Sequence, residues 1–249
     1  MAPSYSNPIL LPHLLIVVII ISVATPASAQ STAGFLSIDI GSAETTNYTD
    51  TATGILWTPD LGLWPDIADW STTYTSLAPP PSSSSSDVSQ AKHYQSFRYF
   101  KPPGEPARSP SPAKFCYSLP AQANKYYLIR VSFWCSSNLA SALTRVPGVL
   151  SFYILIDTYV GPQINISLPQ TFAVVEEFYV QALDRSMSVN LCFSTESGVS
   201  DAPFVNTIEL RPLTGTLNAI KVLDSSMSAL RALVRYNLGA ADNSPPILR

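Results

Sequence analysis

Between Phe35 and Leu210 the chain repeats one rhythm: short runs of β-branched and aromatic residues, each closed by turn formers. Phe35–Ile40 alternates, with Phe35, Ser37 and Asp39 on one face and Leu36, Ile38 and Ile40 on the other, and Gly41 ends it. Ser96–Phe100, Lys114–Leu119, Lys125–Cys135, Val149–Asp157, Thr171–Ala182, Met187–Ser194 and Phe204–Leu210 follow in the same style. Runs of this length, with no helices alternating between them, predict an all-β sandwich or barrel. Val149–Asp157 is nearly continuous in apolar residues and reads as a strand buried on both faces. Pro79–Ser86 and the proline-rich Lys101–Pro112 read as long loops at the edges of that sandwich.

The two ends read differently. The apolar run Leu14–Ile21, the helix-breaking Pro26 and the small residues Ala27-Ser28-Ala29 have the order of a secretory signal helix and its cleavage site, although no Lys or Arg precedes them. The run is short for a membrane span, which takes ~20 apolar residues. Residues 1–29 are therefore expected to be a signal peptide, and no second apolar stretch of membrane length follows. Beyond Leu213, Thr214–Leu223 reads as extended. Ser226–Tyr236 carries Met227, Leu230, Leu233 and Val234 at helical spacing.

Charge excludes one class of partner. Only 12% of the residues are charged and the net charge is -3, so no basic stripe exists to neutralise nucleic-acid phosphates. The cysteines are Cys116, Cys135 and Cys192, an odd number, which outside the cytosol allows one internal disulfide. No metal-ligand spacing occurs, and no metal or cofactor is expected. With a signal ahead of them, the sequons Asn47-Tyr48-Thr49 and Asn165-Ile166-Ser167 become candidate N-glycosylation sites on the surface.

Several blocks carry recognisable text. Gly34-Phe35-Leu36-Ser37-Ile38-Asp39-Ile40-Gly41, then Asn47-Tyr48-Thr49-Asp50 with Thr53-Gly54-Ile55-Leu56-Trp57, then Phe115-Cys116-Tyr117, Tyr127–Phe133, Pro203-Phe204-Val205 and Ile208–Leu213 stand in the order of the plant malectin-like domain, which the chain resembles over residues 34–213. The resemblance implies a malectin-like antiparallel β-sandwich at 30–213. Leu233–Gly239 is similar to the start of a second such module, so 214–249 is expected to be a linker and the first segment of a truncated one. Ile40 stands where the family has its first cysteine. Cys116–Cys192 is then a candidate disulfide, with 116–135 and 135–192 still open. The family implies the ectodomain of a receptor-like kinase or receptor-like protein, secreted or at the cell surface, with any membrane attachment supplied by sequence outside this chain.

Enzymatic chemistry finds little support. Beyond the leader the chain has one histidine, His93, which reads as a solvent-exposed loop residue. The pair Glu176-Glu177 cannot serve as a glycosidase dyad, because adjacent strand residues point to opposite faces. Binding is better supplied: residues 48–74 interleave aromatics and acids on loops of a rigid scaffold. Tyr48, Asp50, Trp57, Trp64, Asp66 and Trp70 are the candidate ligand-binding residues, with Trp57 read first as a packing residue. Phe152, Tyr153, Ile154, Tyr127 and Phe133 read as core. The expected function is non-catalytic binding of a cell-wall or glycoprotein glycan. The alternative is a receptor fragment that binds a secreted peptide or a co-receptor without sugar recognition.

Overall fold

The structure, a computed structural model, describes residues 34–51, 53–61, 71–75, 92–102, 113–134, 148–167, 170, 173–182, 188–195, 201–213 and 229–233. All belong to one unit, Thr32–Arg249. The signal peptide expected at 1–29, the loop 79–86 and the segment 234–239 lie outside the described residues. Among the described residues no helix is long and apolar enough to cross a membrane.

The expectation of an all-β sandwich holds. A seven-stranded sheet runs β14 (Ala229–Arg231), β10 (Val174–Gln181), β7 (Tyr126–Phe133), β13 (Thr207–Pro212), β1 (Leu36–Asp39), β3 (Leu56–Pro59), β2 (Tyr48–Thr49). A four-stranded sheet runs β6 (Ala113–Pro120), β11 (Ser188–Thr195), β8 (Val149–Ile156), β9 (Tyr159–Ser167). A small third sheet joins β12 (Phe204–Val205), β5 (Ser96–Phe100) and β4 (Ser71–Thr75). Pairing is antiparallel except between β1 and β3, which run parallel.

Alternation fixes which side chains meet. Ile129, Val131 and Phe133 of β7 and Ile208 and Leu210 of β13 enter the same core as Leu150, Phe152 and Ile154 of β8 and Leu191 and Phe193 of β11. Phe133 meets Phe152 edge-on at 5.4 Å, and Phe100 stacks on Phe193 at 5.7 Å. Each such ring contributes ~1.5–3 kcal/mol through burial. The outward positions of the large sheet carry charged residues that the core does not, and Arg130 there joins Glu177 at 2.8 Å and Glu209 at 3.5 Å.

Four expectations need correction. β8 is buried on one face only: Leu150, Phe152, Ile154 and Ile156 point in, while Ser151, Tyr153 and Leu155 are partly exposed, so Tyr153 is not a core residue. Phe204–Leu210 is two strands, because Asn206 breaks it. The backbone amide of Asn206 donates to Ser132 O and its carbonyl accepts from the Ile40 amide. Its buried side chain accepts from the Trp134 amide and donates to Ser96 O. The helical spacing at 226–236 gives no helix at 229–231, which pairs with β10, and Leu233 beyond it is 82% exposed rather than seated on a buried stripe. Finally, β9 was not anticipated. Gly161 in it faces an irregularity in β8, and a Cβ there would come within 2.7 Å of the Ile154 carbonyl oxygen.

Cys116 and Cys192 face each other across the β6–β11 ladder, their Cα atoms 4.0 Å apart, and are joined by a disulfide on the outer face of the four-stranded sheet. Cys135 lies outside the described residues.

Candidate functional site

On the outer face of the large sheet, where β1, β2 and β3 adjoin, polar and aromatic side chains collect that the sandwich core does not use. Register explains the gathering. Tyr48 stands opposite Trp57, and Asp39 stands opposite Pro59, two residues beyond Trp57 and so on its face. The Tyr48 hydroxyl donates to Asp39 Oδ2 at 2.8 Å, and Ser42 adds a second hydrogen bond. Asp50 holds the turn into β3: its amide donates to Ile55 O, its carbonyl accepts from the Gly54 amide, and its carboxylate accepts from the Thr53 hydroxyl at 2.7 Å.

The 3-10 turn Lys92–Tyr94, just before β5, lies across this group. Lys92 Nζ pairs with Glu44 and sits 4.4 Å from the centroid of the Tyr48 ring. His93 stacks on Trp57 with centroids 4.3 Å apart and planes 19° from parallel. Tyr94 hydrogen-bonds Ser132 of β7. His93 is 8% exposed, so it is not the solvent-facing loop residue expected from sequence; the Trp57 ring beneath it supplies an apolar seat. Trp57 itself is 2% exposed and presents no open face in this arrangement.

Burial sets the electrostatics. It pushes the Asp39 carboxyl up to about 6, with nearby Asp60 acting in the same direction and Tyr48, Ser42 and Lys92 opposing. It holds the His93 imidazole down to about 4, against a smaller opposing pull from Asp50. Burial and Asp39 also raise the Tyr48 phenol. Asp39 Oδ1, Trp57 Nε1 and His93 Nδ1 are buried and have no hydrogen-bond partner. Each such orphan is destabilising by ~1–3 kcal/mol.

These two shifts oppose each other in stability. Asp39 binds its proton more tightly folded than unfolded, so its contribution is full below about pH 4 and is lost as the pH rises to about 6. His93 stays neutral in the fold, so its contribution is full above about pH 6.5 and is lost as the pH falls to about 4. Over the shared window they nearly cancel. Asp39→Asn should expose the histidine slope, with stability rising by ~3 kcal/mol from pH 4 to 6.5 relative to the wild type. His93→Gln should show the reverse slope. Urea midpoints at several pH values check this; parallel pH profiles for wild type and both variants would contradict it.

Of the residues picked from sequence, Tyr48, Asp50 and Trp57 come together here, while Trp64, Asp66 and Trp70 lie outside the described residues. Asn47, next to Tyr48, and Asn165, on β9, are both exposed. Ser151 donates to Asn165 Oδ1 at 2.7 Å. Glu176 and Glu177 do face opposite ways, each against its own arginine, Arg231 and Arg130. Sequence reasoning did not single out Asp39, Lys92 or His93 as members of one site. The usable signal was an acid placed in a strand of otherwise apolar and small residues, and a Lys-His-Tyr triplet one residue ahead of a strand.

The malectin-like domain family model matches residues 38–248. A probable LRR receptor-like serine/threonine-protein kinase of Arabidopsis thaliana is 25% identical over 213 residues, covering 83% of this chain and 18% of that protein. A receptor-like protein kinase of the same plant is 26% identical over 243 residues, covering 93% of this chain and 24% of its own length. The chain thus spans about a fifth to a quarter of the curated relatives it matches. Among solved structures, the plant receptor-like kinase ANX2 is similar over 72% of this chain and 42% of its own, at 20% identity and a TM-score of 0.45. A chain in the crystal structure of the plant peptide RALF23 in complex with FER and LLG2 is similar over 73% of this chain and 40% of its own, at 21% identity and a TM-score of 0.46.

Proposed function

The chain belongs to the malectin-like family, and from that premise we propose that it is a non-catalytic extracellular binding module of a receptor-like protein, with a cell-wall or glycoprotein glycan as its ligand. The observation that carries the glycan reading is the grouping of two aromatic rings, Tyr48 and Trp57, with the carboxylate of Asp39 on one outer face of a rigid sheet. Rings offer stacking surfaces to the C–H faces of a pyranose and a carboxylate accepts from its hydroxyls. The names of the relatives, receptor-like kinases, support a place outside the cell or at its surface. The signal peptide at 1–29 and N-glycans at Asn47 and Asn165 belong to the same reading.

One observation favours a second reading. Both rings are covered, Trp57 by His93 and Tyr48 by Lys92, so a secreted peptide or co-receptor that docks without stacking on them would fit this surface as it stands. Trp64, Asp66 and Trp70 then remain the candidates for sugar contact. A glycan array followed by calorimetry with cell-wall oligosaccharides tests the first reading, with binding weakened at least ten-fold by Trp57→Leu as the expected result. No binding to any glycan, together with tight binding to a secreted peptide or a receptor ectodomain, would decide for the second. Turnover of chromogenic glycosides would contradict both.

A further inference from the structure

The covers on the two rings come from neighbouring residues of one short turn; of the three unpartnered polar atoms, two belong to the stacked His93 and Trp57 and the third to the carboxylate that the Tyr48 hydroxyl meets. Lys92 lies over Tyr48 and His93 over Trp57. Trp57 Nε1 is a donor without an acceptor, and Asp39 Oδ1 an acceptor without a donor. We propose that the turn Lys92–Tyr94 is a displaceable cover over a polyol-binding platform made by Tyr48, Trp57 and Asp39, and that a sugar takes the places of the Lys92 and His93 side chains.

The inference rests on the glycan reading above and adds how the site opens. Beyond the stack of His93 on Trp57, the polar contacts that hold the cover are few. The Lys92–Glu44 pair is exposed, with side-chain accessibilities of 45% and 40%, and exposed pairs contribute little. The imidazole is held neutral by its burial, so it adds no cation–π attraction to the Trp57 stack. Tyr94 adds one hydrogen bond to Ser132. Against these, the closed arrangement leaves Asp39 Oδ1 and Trp57 Nε1 buried and unpaired, a situation folded proteins rarely tolerate without a reason. A hydroxyl group both donates and accepts. The hydroxyls of a bound sugar can therefore serve the carboxylate oxygen as donors and the indole N–H as acceptors, while its C–H face replaces the imidazole on Trp57. An apolar ligand would leave both atoms orphaned, and a divalent cation would meet an indole N–H it cannot use.

The test is calorimetry on the full chain with cellohexaose, a xyloglucan oligosaccharide and maltose as probes. Removing the cover in Lys92→Ala/His93→Ala should tighten binding about five-fold, because less of the protein is held in the closed form. Trp57→Leu should weaken binding at least ten-fold. If the wild type binds a probe and the double variant binds no better, the cover is overturned while the glycan reading stands. If neither binds any probe, both fall. Should the double variant fail to fold by circular dichroism, hydrogen exchange of residues 92–95 in the wild type decides: faster exchange on adding a bound probe supports displacement, and unchanged or slower exchange overturns it.

Discussion

Replacing Arg98 by methionine is expected to destabilise the fold by ~3–5 kcal/mol, because it strands a buried carboxylate. Arg98 Nε donates to Asp60 Oδ2 at 2.5 Å and Nη2 donates to Oδ1 at 3.2 Å, with both residues buried. Asp60 also accepts from the Gly41 amide at 3.0 Å and from the Tyr117 hydroxyl at 3.4 Å. The pair therefore ties β5, β6 and the end of β1 to the segment after β3. Asp60→Asn keeps an acceptor for Gly41 but removes the negative charge that faces the buried guanidinium, and should be destabilising for the mirror-image reason. The double variant should lose less than the sum of the two single changes, by ~0.5–3 kcal/mol, since no lone charge is left inside. Denaturant midpoints of the four proteins close the cycle. An Arg98→Met variant within ~1 kcal/mol of the wild type would show that the pair is a solvated contact instead.

Opening the Cys116–Cys192 disulfide is the second large effect. It closes a sequence separation of 76 residues, and the loop entropy it removes from the unfolded chain corresponds to ~4.5 kcal/mol. Cys116→Ser/Cys192→Ala should lower the melting temperature by roughly 10 °C at this chain length. Dithiothreitol should reproduce the drop in the wild type and add nothing in the variant. The strands would still be paired, because the β6–β11 ladder runs from Ala113 to Pro120 with or without the bond. A melting temperature indifferent to both changes would mean that the reduced chain is already restricted.

Strands that alternate against a core were legible residue by residue. Ser96–Phe100 has the bounds read from the sequence, and Tyr126–Phe133 and Val174–Gln181 differ only at their ends. What escaped was decided by neighbours in space. β9 contains Gly161-Pro162, which reads as a turn; at the edge of a sheet a proline is tolerated, and the glycine answers to the Ile154 carbonyl of another strand. The leucines at 230 and 233 carry helical spacing, yet the edge of β10 and the Glu176 carboxylate, which takes two 2.6 Å hydrogen bonds from Arg231, hold 229–231 extended. Three cysteine pairings were open in sequence, and only strand register sets 116 opposite 192. In the candidate site, the Tyr48, Asp50 and Trp57 stretch could be read because its residues are close in the chain. Asp39 and His93 could not be joined to it, because a polar strand face and a turn some fifty residues apart meet only after folding.

The place of β1 has a consequence in time. It pairs with β13, Ser37 and Arg211 standing 174 residues apart and bonded side chain to side chain at 2.7 Å. A chain made at ~5–20 residues per second would complete that partner roughly 10–35 seconds after β1 itself. For that interval Ile38, fully buried in the finished sandwich, lies in a strand whose ladder pairing is limited to the short parallel contact with β3. β13 is thus the strand that joins β1 to β7 in the large sheet, and it is made after both. A chaperone would have most to gain by holding the first thirty residues of the sandwich until then.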